Sequence, residues 1–174
     1  MIHIICGTAT IKDAEEFIHQ LNEISQRYDV VIQAVDTDLV AGRKHLITAA
    51  ERAIRSFREK TNVANNLGME TLLYVAGSRQ IEKALQFGVK KGCNNIALLI
   101  ISKSEKNTDS VEQELKKLIS ECPDVADYTI SKKEKLMSAF NITQEEIAAA
   151  GEDKIPDLVL ERVALRNIVR KLNQ

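Results

Sequence analysis

Apolar and polar positions along the chain follow two rhythms, one of strands and one of helices. Residues 2–5 hold three isoleucines around His3 and read as a short buried strand. Asp13 followed by Glu16 forms a capping-box-like start, after which Phe17, Leu21, Ile24 and Tyr28 recur at helical spacing. Residues 30–35 are mostly β-branched and bounded by Asp29 and Asp36, which predicts a second strand. Residues 42–60 predict a helix whose apolar side carries Leu46, Ala49, Ala50, Ala53, Ile54 and Phe57. A polar loop over 61–68 leads to a third predicted strand at 71–75, which turns at Gly77 and Ser78. Ser78 is placed to cap a short helix bearing Ile81, Ala84, Leu85 and Phe87, which Gly88 and Gly92 end.

Residues 96–101 are apolar throughout and predict a central strand. Asp109 with Glu112 precedes the helical set Val111, Leu115, Leu118 and Ile119, and residues 128–130 predict one more short strand. Ser131 with Glu134, and Thr143 with Glu146, have capping-box spacing, and Gly151 fits a helix stop. Pro156 suits the first turn of a last helix over 156–172, with Leu158, Leu165, Ile168 and Leu172 on one stripe. The expected class is α+β: a small, mostly antiparallel or mixed sheet surrounded by several helices. One domain spanning 1–174 is expected, with the amphipathic 156–172 helix packed on it and open to a partner.

Composition narrows the function classes. Of 174 residues, 44% are apolar and only nine are Gly or Pro, which excludes collagenous and low-complexity chains. Net charge is −1, so a uniformly basic nucleic-acid binder is excluded while a local basic face is not. The longest apolar run is far short of the roughly 20 residues a membrane helix needs, and the opening residues do not read as a signal peptide. A soluble cytoplasmic protein is therefore expected. Cys6, Cys93 and Cys122 are three and far apart, so they predict buried inert thiols rather than disulfides or a zinc site.

Nucleotide-loop, hydrolase-elbow and zinc-protease motifs are absent, and His3, His19 and His45 are scattered. Two features stand out instead. Residues 42–60 carry a local charge of +4, with Arg52, Arg55 and Arg58 spaced to share a helix face. Such a face is either a phosphate contact or an ordinary solvated surface. In the last helix, Val159, Val163 and Val169 widen the apolar stripe beyond one face, while Arg162, Arg166, Arg170 and Lys171 form its polar side. That surplus apolar surface meets either the chain's own core or a partner groove.

A longer pattern lies between residues 35 and 101. It runs Val40-Ala41-Gly42-Arg43-Lys44-His45-Leu46, then Val63-Ala64-Asn65, then Met69-Glu70-Thr71-Leu72-Leu73, then Ala76-Gly77-Ser78-Arg79-Gln80-Ile81 with Ala84-Leu85 and Gly88. In order and spacing it resembles the PRPK-binding protein (TPRKB) family, the small regulatory subunit of the KEOPS complex. The interval between His45 and Asn65 is about one helical turn longer than in archaeal members of that family.

The resemblance implies a non-catalytic accessory subunit without cofactor or metal. Its partners would be a small atypical protein kinase/ATPase, contacted directly, and the 3′ CCA end of tRNA. The catalytic threonylcarbamoyl-transferase subunit would be reached indirectly, for synthesis of threonylcarbamoyladenosine in tRNA. By position, Arg43, Lys44, His45, Asn65, Arg79 and Gln80 become the tRNA-contact residues. Leu85, Phe87, Leu165, Ile168 and Val169 become the kinase-facing apolar patch. Read from residues alone, a stand-alone RNA-binding α/β domain and a small enzyme with an unrecognised site stay open as alternatives.

Overall fold

Residues that are apolar on one or both sides of a pleat build the strands. A computed structural model describes residues 1–104 and 107–167 of the chain. The strands are β1 (Ile2–Ile11), β2 (Val31–Asp36), β3 (Gly92–Ile101) and β4 (Ser120–Glu121). They form one antiparallel sheet in the order β2-β3-β1-β4. The helices are α1 (Ala14–Tyr28), α2 (Arg43–Arg58), α3 (Leu67–Val75), α4 (Ile81–Leu85) and α5 (Thr108–Leu115), then α6 (Lys133–Phe140), α7 (Gln144–Ala150) and α8 (Ile155–Leu165). The class is α+β, as the hydrophobic pattern implied.

The chain divides into two compact units, Met1–Thr37 with Gly88–Ala126, and Asp38–Phe87 with the residues from Asp127 onward. Neither is a continuous stretch of sequence. The first holds the sheet. In its register Ile5 faces Leu98, and Leu98 faces Ala34, so these residues share one face with Ile32, Ile96 and Ile100. Phe17, Leu21 and Ile24 of α1 and Val111 and Leu115 of α5 close that face into a core. Gly7 lies where β1 meets β4, and a Cβ there would collide with the Ser120 carbonyl oxygen. That close approach requires glycine.

The second unit is helical. Leu46, Ala49, Ala50 and Ala53 of α2 are completely buried, and the three alanines let α3 pack closely. α3 corrects the strand predicted at 71–75. A short continuous apolar run reads equally as a buried strand or a buried helix. Here Asn66 decides it by accepting a hydrogen bond from Met69 N at 2.8 Å, and Thr71 Oγ1 donates back to Leu67 O. Residues 128–130 form no strand; the fourth strand is 120–121 instead.

Asp13 and Thr143 cap α1 and α7 as their spacing predicts, and the Thr143–Glu146 pair forms a full capping box. Gly151 ends α7 at φ +102°. Ser131 and Asp109 do not cap: Ser131 Oγ bonds Thr129 Oγ1, and Asp109 lies inside the first turn of α5. The last helix ends at Leu165 and Arg166 and Asn167 follow as a turn, so it is shorter there than predicted; residues 168–172 of the prediction lie outside the described residues.

Candidate functional site

The second unit contains a cleft of about 660 Å³ where the turn after α3 meets α4, the end of α6 and the last turn of α8. Ala76, Gly77 and Ser78 are among its lining residues. Gly77 has φ +56°, the left-handed conformation that turns the chain from α3 toward α4. Four cationic side chains, Arg79, Lys83, Arg162 and Arg166, line the cleft, and no Asp or Glu is among its lining residues.

The four cations differ in how they are held. Arg162 donates to Glu146 at 2.6 Å and to the Phe140 and Asn141 carbonyl oxygens at 3.2 and 3.3 Å. The Thr143 backbone N–H, and after it Arg162, hold the Glu146 carboxyl below its ordinary range. Arg166 donates to Glu70 at 3.0 Å and to Ser78 O at 2.8 Å, and lies 3.8 Å from the centre of the Tyr74 ring. Its remaining terminal nitrogen, Nη2, is buried with no hydrogen-bond partner among the described residues. Arg79 donates to Asn167 Oδ1 at 3.4 Å. Lys83 has no ion-pair partner among the described residues.

Glu146 and Glu70, which do not line the cleft, pair Arg162 and Arg166, so Arg79 and Lys83 are the lining cations without an ion-pair partner among the described residues. Gln80 is exposed just before α4 and offers both amide donors and an acceptor. Among the described residues, no group of three or more His, Cys, Asp or Glu side chains is placed to hold a metal ion. No helix among them is long and apolar enough to cross a membrane.

The structure brings together only some of the residues selected from sequence. Arg79, Gln80 and Leu165 line the cleft. Arg43 and Lys44 are exposed at the start of α2, and Asn65 is exposed before α3; none of the three lines the cleft. Farther along α2, Arg55 pairs with Glu59 at 2.9 Å, so that basic face is partly neutralised.

His45 is in the core. It is 0% exposed, its Nδ1 accepts from Ala41 N at 3.2 Å, and its Nε2 shares a hydrogen bond with Val75 O at 2.9 Å. Burial pushes its pKa down to about 4. A neutral ring locked between two backbone groups does not present itself to RNA.

Among the apolar candidates, Leu85 is 54% exposed and Leu165 39% exposed. Phe87 is 1% exposed and meets the Phe140 ring edge-on at 5.6 Å, so it belongs to the core. Ile168 and Val169 lie outside the described residues. Ile81, 42% exposed, shares α4 with Leu85.

Sequence reading missed Glu70, Lys83, Arg162 and Arg166 as parts of one site. One signal was available: Glu70 is the single charge in an otherwise apolar or small stretch over 67–76. A carboxylate in such a run calls for a buried cation. Which cation is a matter of tertiary structure, since Arg166 is 96 residues away.

The family model described as "Kinase binding protein CGI-121" matches residues 9–167 of the chain. Comparison with curated proteins gave no match.

Proposed function

The chain belongs to the kinase-binding CGI-121 family, and on that premise we propose that it is an accessory subunit joining a small atypical kinase/ATPase to tRNA. In this reading it works within the KEOPS assembly in the cytoplasm, without catalysing a step. It brings the 3′ CCA end of tRNA to the complex that makes threonylcarbamoyladenosine, and the transferase subunit is reached through the kinase.

The observation that carries the RNA half is the cleft. Arg79, Lys83, Arg162 and Arg166 surround a space large enough for one or two nucleotides, beside the amide of Gln80. Arg162 and Arg166 are held by Glu146 and Glu70, so a single-stranded end would offer its phosphates to Arg79 and Lys83 and its base edges to the Gln80 amide. The exposed Arg43, Lys44 and Asn65 add contacts for a larger RNA outside the cleft. His45 and Phe87 act from within the fold, by holding α2 and α4 in place.

Support for the kinase half comes from the family and from exposed apolar side chains. Ile81 and Leu85 on α4 are large, exposed and free of charge, which suits a partner contact. Separating the two roles tests the proposal. Replacing Leu85 by Glu is expected to abolish co-purification with the kinase while leaving tRNA binding within twofold. Replacing Arg79 by Glu is expected to weaken tRNA binding at least tenfold with kinase capture intact. Loss of both activities in both variants, without unfolding, would contradict two separable contacts.

A further inference from the structure

We propose that the buried Glu70–Arg166 pair is a positioning device that ties the loop over 62–66 to the turn over 78–80. The two stretches carrying Asn65 and the Arg79-Gln80 pair would then be held in one arrangement. As far as RNA is concerned, this rests on the reading of the cleft given above.

Each oxygen of Glu70 is committed. Oε1 accepts from Ser56 Oγ at 3.2 Å and from Arg166 Nη1 at 3.0 Å. Oε2 accepts from Val63 N at 2.9 Å and Ala64 N at 2.8 Å. One carboxylate thus holds α2, the 62–66 loop and the end of α8. Asn65 follows directly after Ala64, and Asn66 beyond it caps α3, so both neighbours of Asn65 are pinned to the same helix.

On the other side, Arg166 Nε donates to Ser78 O, Ser78 N donates to Leu73 O, and Gln80 N donates to Ser78 Oγ. Asn167 donates to the Tyr74 hydroxyl at 2.7 Å and accepts from Arg79, which sets the direction of that guanidinium. Arg166 lies over the same Tyr74 ring. Side chains of Glu70 and Arg166 are each 1% exposed.

Stability alone gives little reason for such a pair. A buried ion pair is commonly replaceable by apolar side chains of similar volume at no loss. Here the arrangement even leaves Arg166 Nη2 without an acceptor among the described residues. What a carboxylate with four donors and a planar guanidinium fork do provide is fixed direction, which an apolar pair does not. The stretches they fix are the two polar segments flanking α3, and Arg166 itself lines the cleft.

The double variant Glu70→Gln/Arg166→Met removes both charges at nearly constant volume. Three quantities are compared with the wild-type chain: the unfolding midpoint, amide hydrogen exchange by segment, and affinity for a short RNA ending in CCA. The inference expects a midpoint within a few degrees, exchange at least fivefold faster at both 63–65 and 78–80, and RNA affinity reduced at least tenfold. Unchanged exchange, or acceleration in only one stretch, overturns it, as does a general acceleration across the unit.

If the wild-type chain binds CCA-ended and CCA-less RNA alike, the RNA reading falls while the exchange result still decides the coupling. Should the double variant fail to fold, Arg166→Lys keeps the charge opposite Glu70 but loses the fork to Ser78. It is then expected to loosen 78–80 and leave 63–65 unchanged; unchanged exchange at 78–80 would overturn the inference.

Discussion

Lowering the pH from 7.5 to 5 perturbs one buried group whose effect on stability follows from its position, His45. Only the tautomer with its proton on Nε2 satisfies both neighbours, because Nδ1 must accept from Ala41 N while Nε2 donates to Val75 O. A second proton would place an N–H against the Ala41 N–H inside a core that holds no water-facing atom of this side chain. The folded ring therefore protonates only near pH 4, against 6.5 for a free imidazole.

Between those two values the unfolded chain takes up the proton and the folded chain does not. Stability is thus complete above pH 6.5 and is lost as pH falls toward 4. The loss amounts to about 2 kcal/mol at pH 5 and roughly 3 kcal/mol below pH 4. Urea denaturation at pH 7.5, 6.5, 5.5 and 5, followed by circular dichroism because the chain has no Trp, measures it against His45→Gln. The amide does not titrate, and every other group is common to both proteins. The stability advantage of wild type over variant is expected to shrink by about 2 kcal/mol across that range. Parallel pH profiles, or an advantage that grows in acid, would refute the buried neutral ring.

Other substitutions test other parts of the structure. Glu70→Ala strands the Arg166 charge and two backbone N–H groups in the interior and is expected to cost about 3–5 kcal/mol by chemical denaturation. Gly7→Ala places a methyl against the Ser120 carbonyl and is expected to cost about 1–3 kcal/mol, with faster hydrogen exchange at 120–122. Leu85→Glu is expected to leave the unfolding midpoint unchanged, since its side chain is mostly in solvent, while removing kinase capture.

What the sequence discloses, and what it hides, follows the range of the forces involved. Local signals are legible: Asp13, Thr143 and Gly151 end helices where their spacing says they should, because a cap is settled within four residues. The central strand is legible because six consecutive apolar residues need burial on both faces. β1 and β3 extend beyond their apolar segments because pairing carries Thr8 and Thr10 into register with Asn95 and Cys93. Those polar residues show no periodic signal of their own.

Residues 67–76 are ambiguous on hydrophobicity, and only Asn66 tips them to helix. Arg43, Lys44 and His45 look alike as a basic cluster, yet the helix turns the third inward. The cleft is the least legible feature. Its cations come from residues 79–83 and 162–166, which meet only in the folded chain.

The central claim is that this kinase-binding protein takes the CCA end of tRNA in the cationic cleft. Titrating the purified chain with intact tRNA and with tRNA lacking its terminal CCA, at two salt concentrations, tests it most directly. The account predicts at least tenfold weaker binding of the truncated tRNA at both salt concentrations, and no such discrimination by the Arg79→Glu variant. Equal affinity for the two RNAs, rising and falling together with salt, would contradict it and reduce the cleft to a nonspecific basic surface.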